Sequence, residues 1–259
     1  MIRRESLLAV VLALSGCSGG PQYPAPPAPA AEKAAPSQPV FDPSTATARV
    51  FGNIMFEGKP PEIPSMTIGG DRMCQTNALN IRNDKAMVTS DGKLRSAIIY
   101  VRAGHEGRSY AAPDAMLVLD QQGCIYTPHV FTVMKGQKFK IRNSDATFHN
   151  VHAQEGQRTE FNIGQASKGV EDTQTFSRAA LPFRIGCDFH KWMGAYAGVF
   201  EHPFHTTSGE SGSYELRLPA GKYEIVAWHE KYGEQSSRID VQEHGAAELN
   251  FKFAPSARH

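Results

Sequence analysis

The stretch Cys187-Asp-Phe-His190-Lys-Trp-Met193 sets a thiolate, an imidazole and a thioether at intervals of two intervening residues, and Phe148-His149-Asn150-Val151-His152 offers further imidazole upstream. Soft sulfur suits Cu(I) and imidazole suits Cu(II), so a mixed nitrogen and sulfur set tolerates both oxidation states with little rearrangement. One tight loop delivers Cys187, His190 and Met193; His149 has to arrive from another strand. Residues 138–143 (KFKIRN) and 183–186 (FRIG) are short apolar-rich runs that read as strands feeding the two loops.

With Phe139-Lys-Ile-Arg-Asn143-Ser-Asp145-Ala-Thr-Phe-His149-Asn150-Val-His152 added, the chain resembles a cupredoxin, over residues 96–202. Its Cys-x2-His-x2-Met loop is similar to the short loop of the amicyanins rather than the longer loops of plastocyanins or azurins. The resemblance implies a Greek-key β-sandwich with one type 1 copper ion, in which His149, Cys187 and His190 are equatorial ligands and Met193 is axial. It also implies that Asn150 ties the two ligand loops together. Phe148 stands where a proline often precedes the first histidine. A dinuclear copper centre needs a second cysteine in the same loop, and none is there. Zinc also uses Cys and His, but structural zinc sites take four such ligands and rarely a thioether.

Other histidines read differently. His152 points elsewhere on a strand-like run, and His129 and His229 read as hydrogen-bonded structural residues. His202 and His205, in His-Pro-Phe-His, are either loop residues or a second, looser metal site.

At the N-terminus, Met1-Ile-Arg3-Arg4-Glu5, an apolar run over residues 7–14 and then Ser15-Gly16-Cys17 read as a secretory signal over residues 1–16, too short to span a bilayer. Leu14-Ser15-Gly16-Cys17 resembles the bacterial lipobox, which implies lipid attachment at Cys17, and Ser18 in place of Asp implies the outer membrane, facing the periplasm. Residues 17–43, rich in Pro and Ala, read as a semi-extended tether. Loss of Arg3, Arg4 and Glu5 leaves 25 basic and 25 acidic residues, so nothing favours nucleic acid. With Cys17 assigned to lipid and Cys187 to metal, Cys74 and Cys124 remain, and an oxidising compartment permits a disulfide between them; as metal ligands they would instead suit Cu(I) storage or transfer.

Strand-like runs separated by Gly and Pro turns recur along the folded part, with no competing helical period, so the fold class is all-β. Tyr214-Glu-Leu-Arg-Leu218-Pro-Ala-Gly221-Lys-Tyr223 resembles the carboxypeptidase regulatory-like sandwich, a small Ig-like or transthyretin-like fold, over residues 203–254. Tyr214, Leu216 and Leu218 fall on one strand face and Tyr223, Ile225 and Ala227 on another. That segment is short for an independent sandwich and can borrow strands from residues 49–61, part of an N-terminal β segment over residues 44–95, where Gly52-Asn-Ile-Met-Phe-Glu-Gly58-Lys-Pro-Pro resembles that family's opening strand; this would place the cupredoxin as an insertion. Trp228 with His229 reads as strand core or as a sugar platform.

The leading functional expectation is a membrane-tethered, non-enzymatic carrier of single electrons, whose redox partner is a cytochrome or a dehydrogenase by the resemblance. The alternatives are copper delivery or storage, and a surface module that binds carbohydrate or protein without metal. Electrons are expected to leave through an apolar patch around His190 formed by Phe189, Trp192 and Tyr196.

Overall fold

The computed structural model describes residues 39–63, 67–79, 81 and 87–255; Cys17 and most of the tether lie outside them. In chain order the elements are β1 (Ala48–Phe56), α1 (Arg72–Thr76), β2 (Ile98–Ala103), β3 (Leu117–Gln121), β4 (Tyr126–Thr127), β5 (Val130–Met134), β6 (Phe139–Asn143), β7 (His149–Glu155) and β8 (Arg158–Gln165). They continue with β9 (Glu171–Gln174), β10 (Ala180–Gly186), β11 (Gly194–Phe200), β12 (His205–Thr207), β13 (Ser213–Leu218), β14 (Gly221–His229), β15 (Gly233–Val241), β16 (Ala246–Glu248) and β17 (Phe251–Phe253).

The chain is all-β, with a cupredoxin-like sandwich of nine strands and a second sandwich of eight among the described residues, so the second is not the small one expected: it takes in β1 and β2 as well as the strands after residue 203. In the first, the sheet β5-β11-β10-β7-β8 packs on the sheet β4-β3-β6-β9. Alternate residues of the strands face each other across it, Leu119, Phe139 and Ile141 from one sheet and Phe131, Val151, Phe183, Ile185 and Ala197 from the other, all buried. β8 gave no apolar signal in the sequence because it is an edge strand whose side chains are largely exposed or half-buried.

The second sandwich sets β13-β1-β16, with β17 also on β1, against β12-β2-β14-β15. The six side chains singled out in β13 and β14 are all buried in its core with Val50, Ile54, Ile99 and Val101. The Pro219-Ala-Gly221 turn is tied by the Tyr223 hydroxyl, which donates to the Pro219 carbonyl at 3.0 Å. Gly52 is required where β1 meets the 249–250 link: a Cβ there would stand 2.0 Å from the Leu249 carbonyl oxygen.

β1 and β2 precede the first sandwich in the chain and β12 to β17 follow it, so the strands of the second come from both sides of the first. β2, grouped with residues 96–202 on sequence, pairs instead with β14 and β12. Its run of buried apolar residues has the same pattern in either sheet, and only the pairing distinguishes them. Where the two sandwiches meet, Ile98, Val130, Phe200 and Trp228 form a separate apolar cluster. Trp228 is therefore core and no sugar platform, and His229 is fully buried. Among the described residues no helix is long and apolar enough to cross a membrane.

Candidate metal centre

Hydrogen bonding in the β10–β11 hairpin decides where the ligand loop lies. Gly186 pairs with Gly194, so Cys187 leaves β10 and Met193 enters β11 directly across from it. The loop closes on itself through Met193 N donating to the His190 carbonyl at 2.9 Å and Cys187 N donating to the Met193 carbonyl at 3.4 Å. β7 runs beside β10, with His152 opposite Gly186, and this brings His149 at the start of β7 to the same end of the sandwich.

Three donor atoms converge there. His149 Nδ1 lies 3.0 Å from His190 Nδ1, and Cys187 Sγ lies 3.7 Å from His190 Nδ1. His149, Cys187 and His190 are all buried, as is Met193, at 1% exposure. Such separations suit one ion bound at about 2.0 Å by nitrogen and about 2.3 Å by sulfur. The donor set fits a metal that accepts imidazole and thiolate together, and two imidazole nitrogens this close repel each other unless a proton or cation lies between them.

Asp145, quoted in the sequence but given no role there, organises the pocket. Its Oδ2 accepts from His149 Nε2 at 3.0 Å, which leaves the Nδ1 lone pair of a neutral His149 free to face Cys187 and His190. The same carboxylate accepts from Gly123 N and Cys124 N, both at 2.8 Å. Burial works against charge on His149, but Asp145 and Cys187 outweigh it and raise its pKa. Burial likewise opposes the Cys187 thiolate, and hydrogen bonds from His149 in its protonated form and from backbone N–H groups overcome it, so the thiol sits below its ordinary value. His190 is pushed down by burial and by the neighbouring His149.

Asn150 joins the two loops: its Oδ1 accepts from Asp188 N at 2.8 Å and its Nδ2 donates to Asp188 Oδ2 at 2.8 Å. His152 faces away, bonded to Asp188 and Thr159. A short helix completes the enclosure. Asp71 caps α1, accepting from Met73 N at 2.8 Å, while its other oxygen accepts from the Thr147 hydroxyl and lies 3.9 Å from His190 Nε2. The Cys74–Cys124 disulfide pins α1 to the β3–β4 turn, with Cα atoms 5.5 Å apart.

The expected apolar patch has a different membership. Tyr196, on β11, packs edge-on to Trp228 and stands next to the buried His129–Glu230 pair, so it belongs to the seam between the sandwiches. Trp192 turns inward: its indole N–H donates to the Cys124 carbonyl at 3.1 Å and the ring packs on the core. Phe189 stays outside, 65% exposed, in edge contact with the exposed Phe148 at 4.7 Å between ring centroids. His202 does not combine with His205 into a second site: its Nδ1 accepts from Phe204 N, and the two rings lie 6.4 Å apart. His129 and His229 are hydrogen-bonded, to Glu230 and Lys231 N respectively.

No family model matches the chain, and no curated protein matches it. Among solved structures it is similar over part of its length to a copper-containing nitrite reductase from Thermus scotoductus, with TM-score 0.31, 17% identity, 34% of this chain and 23% of that one. It is similar to a purple cupredoxin from Nitrosopumilus maritimus, with TM-score 0.29, 19% identity, 33% of this chain and 99% of that one. It is likewise similar to amicyanin from Paracoccus versutus, with TM-score 0.30, 19% identity, 39% of this chain and 96% of that one. The chain thus spans under a quarter of the reductase and nearly all of the two small proteins.

Proposed function

We propose that the chain binds one copper ion through His149, Cys187 and His190, with Met193 as the weak axial ligand, and carries single electrons in the bacterial cell envelope, anchored by lipid at Cys17. The observation that carries this reading is the convergence of two imidazole Nδ1 atoms and one thiol sulfur within a buried pocket. A copper ion so held supplies a one-electron couple whose two states accept the same ligands. The residues of the chain do the rest. Asp145 holds the His149 tautomer, Asn150 fixes one loop on the other, and the hairpin prevents Cys187 and Met193 from moving apart.

Delivery or storage requires ligands that can be handed over, whereas these sit at strand ends inside the core, which favours electron transfer. The electron's exit is assigned to the exposed Phe148–Phe189 pair beside His190, a small apolar surface of the kind used in brief redox encounters with a cytochrome or a dehydrogenase. The second sandwich is read as a regulatory-like accessory module that carries the first. The test is reconstitution of the tether-free protein with Cu(II), followed by visible and electron paramagnetic spectroscopy. One equivalent with an intense thiolate-to-copper band is expected, and Cys187→Ser abolishes it; a band that survives that substitution refutes the ligand assignment.

A further inference from the structure

Each imidazole of the pocket has a carboxylate beside the ring nitrogen that faces away from the other. For His149 it is Asp145, on Nε2. For His190 it is Asp71, whose Oδ2 lies 3.9 Å from Nε2. The two Nδ1 atoms, 3.0 Å apart, have room between them for one proton. A neutral His190 that turns its Nδ1 lone pair toward that gap must carry its own proton on Nε2. The ring is only 7% exposed, so this N–H needs an acceptor from the protein.

The Asp71 carboxylate is aimed by contacts on both of its oxygens. Oδ1 accepts from Met73 N at 2.8 Å and caps α1, while Oδ2 accepts from the Thr147 hydroxyl. Thr147 is fixed in turn, since its carbonyl accepts from Asn143 Nδ2 at 2.9 Å. It stands two residues before His149, so the loop that delivers one histidine sets the carboxylate of the other. The His149 and Trp192 rings flank His190 with centroids 4.9 and 5.2 Å away, which restricts the imidazole's orientation and leaves the tautomer to be decided. A separation of 3.9 Å exceeds a hydrogen bond, and closure by about 1 Å makes it one.

We propose that Asp71 is the positioning residue of His190: its carboxylate selects the Nε2–H tautomer, so that the Nδ1 lone pair is presented to copper, and it accepts that N–H when the ion is bound. This rests on the copper reading above and deepens it. Asp71 acts through His190 and is not itself a ligand. Being negative and close to the pocket, it also favours Cu(II) over Cu(I). The short helix is then part of the site, because its cap residue serves a ligand.

The test compares the full chain with Asp71→Asn, first without metal and then with copper. Asparagine is as good a helix cap as aspartate, so α1 is retained, but the new amide turns an N–H₂ toward His190 Nε2 where a carboxylate oxygen stood. In the metal-free protein, long-range proton–nitrogen spectra of the histidine rings are expected to show His190 as the Nε2–H tautomer, and Asp71→Asn should move it to Nδ1–H. With copper, the same substitution should weaken binding by about tenfold in chelator competition and shift the reduction potential upward. Thr147→Val, which frees Oδ2, should move the tautomer in the same direction, and Thr147→Ser, which keeps the hydroxyl, should restore the original pattern. An unmoved tautomer and potential in a folded Asp71→Asn protein overturn the proposal. If that variant does not fold, the Thr147 pair decides: identical tautomers in Thr147→Val and Thr147→Ser overturn it. Failure of the unsubstituted protein to take up copper overturns the copper reading and this proposal with it, whereas blue copper with an indifferent tautomer removes the role of Asp71 alone.

Discussion

Asp145 sits 2% exposed and spends its two oxygens on His149 and on the Gly123–Cys124 turn. Asp145→Asn keeps the shape but leaves one acceptor oxygen, without its charge, for the three N–H groups that the carboxylate serves, and its N–H₂ faces a donor, so the hold on the His149 tautomer weakens. Copper affinity is expected to fall by about 10- to 100-fold, measured by chelator competition, with the fold retained by circular dichroism. At the exposed end the residue that matters is Phe189. Phe189→Glu should leave the blue spectrum unchanged and slow electron self-exchange between copies of the protein, followed by nuclear magnetic resonance line broadening; an unchanged rate would place the exit elsewhere. Trp192→Ala, by contrast, removes a core-packed ring and the N–H bond to Cys124, and should cost stability by about 2–3 kcal/mol in urea denaturation.

The loop elements differ in how they are held. The β10–β11 hairpin is fixed by backbone pairing on both sides, while α1, too short to be stable alone, depends on its cap, on Thr147 and on the disulfide. The bond closes a sequence separation of 50 residues, so replacing both cysteines by alanine should lower stability by about 2–4 kcal/mol in urea denaturation under oxidising conditions. A loss near zero would mean that Asp145, Trp192 and Thr147 hold these segments unaided. The hairpin elements were legible in the sequence because their candidate ligands lie within seven residues of one another and follow an apolar run. The cap was not, since its contact with His190 spans more than a hundred residues and nothing local in Asp71-Arg-Met-Cys74 signals it.

Across the molecule, buried ionisable groups make stability depend on pH. Burial lowers the pKa of His205 and of His229 from 6.5 to about 4. A depressed folded-state value means that the unfolded chain takes up the proton first, so their contribution is complete above about pH 6.5 and is lost as pH falls toward about 4. Urea midpoints should decline through that window, and His205→Phe should flatten the decline. In the seam, burial opposes charge on Glu230 but His129 and Tyr196 bring its pKa from 4.5 down to about 2. Its contribution is therefore present above pH 4.5 and disappears as pH falls through about 2. Glu230→Gln should destabilise by roughly 3 kcal/mol at neutral pH, in urea denaturation, and by less in strong acid.

Short-range order in the chain determined the all-β class and the composition of the Cys187–Met193 loop. Alternation with a period of two and closely spaced ligands are properties of neighbours, and they are written locally. The buried faces of β13 and β14 were readable for the same reason. Pairing between distant strands is another matter: β2 is apolar enough for either sandwich, and only hydrogen bonding to β14 decided between them. The side to which an aromatic turns is equally non-local, which is why Tyr196 entered the seam and Trp192 the core while Phe148 joined Phe189 outside. The disulfide's place against His149 and His190 belongs with these, because four segments far apart in the chain meet there and only packing in three dimensions brings them together.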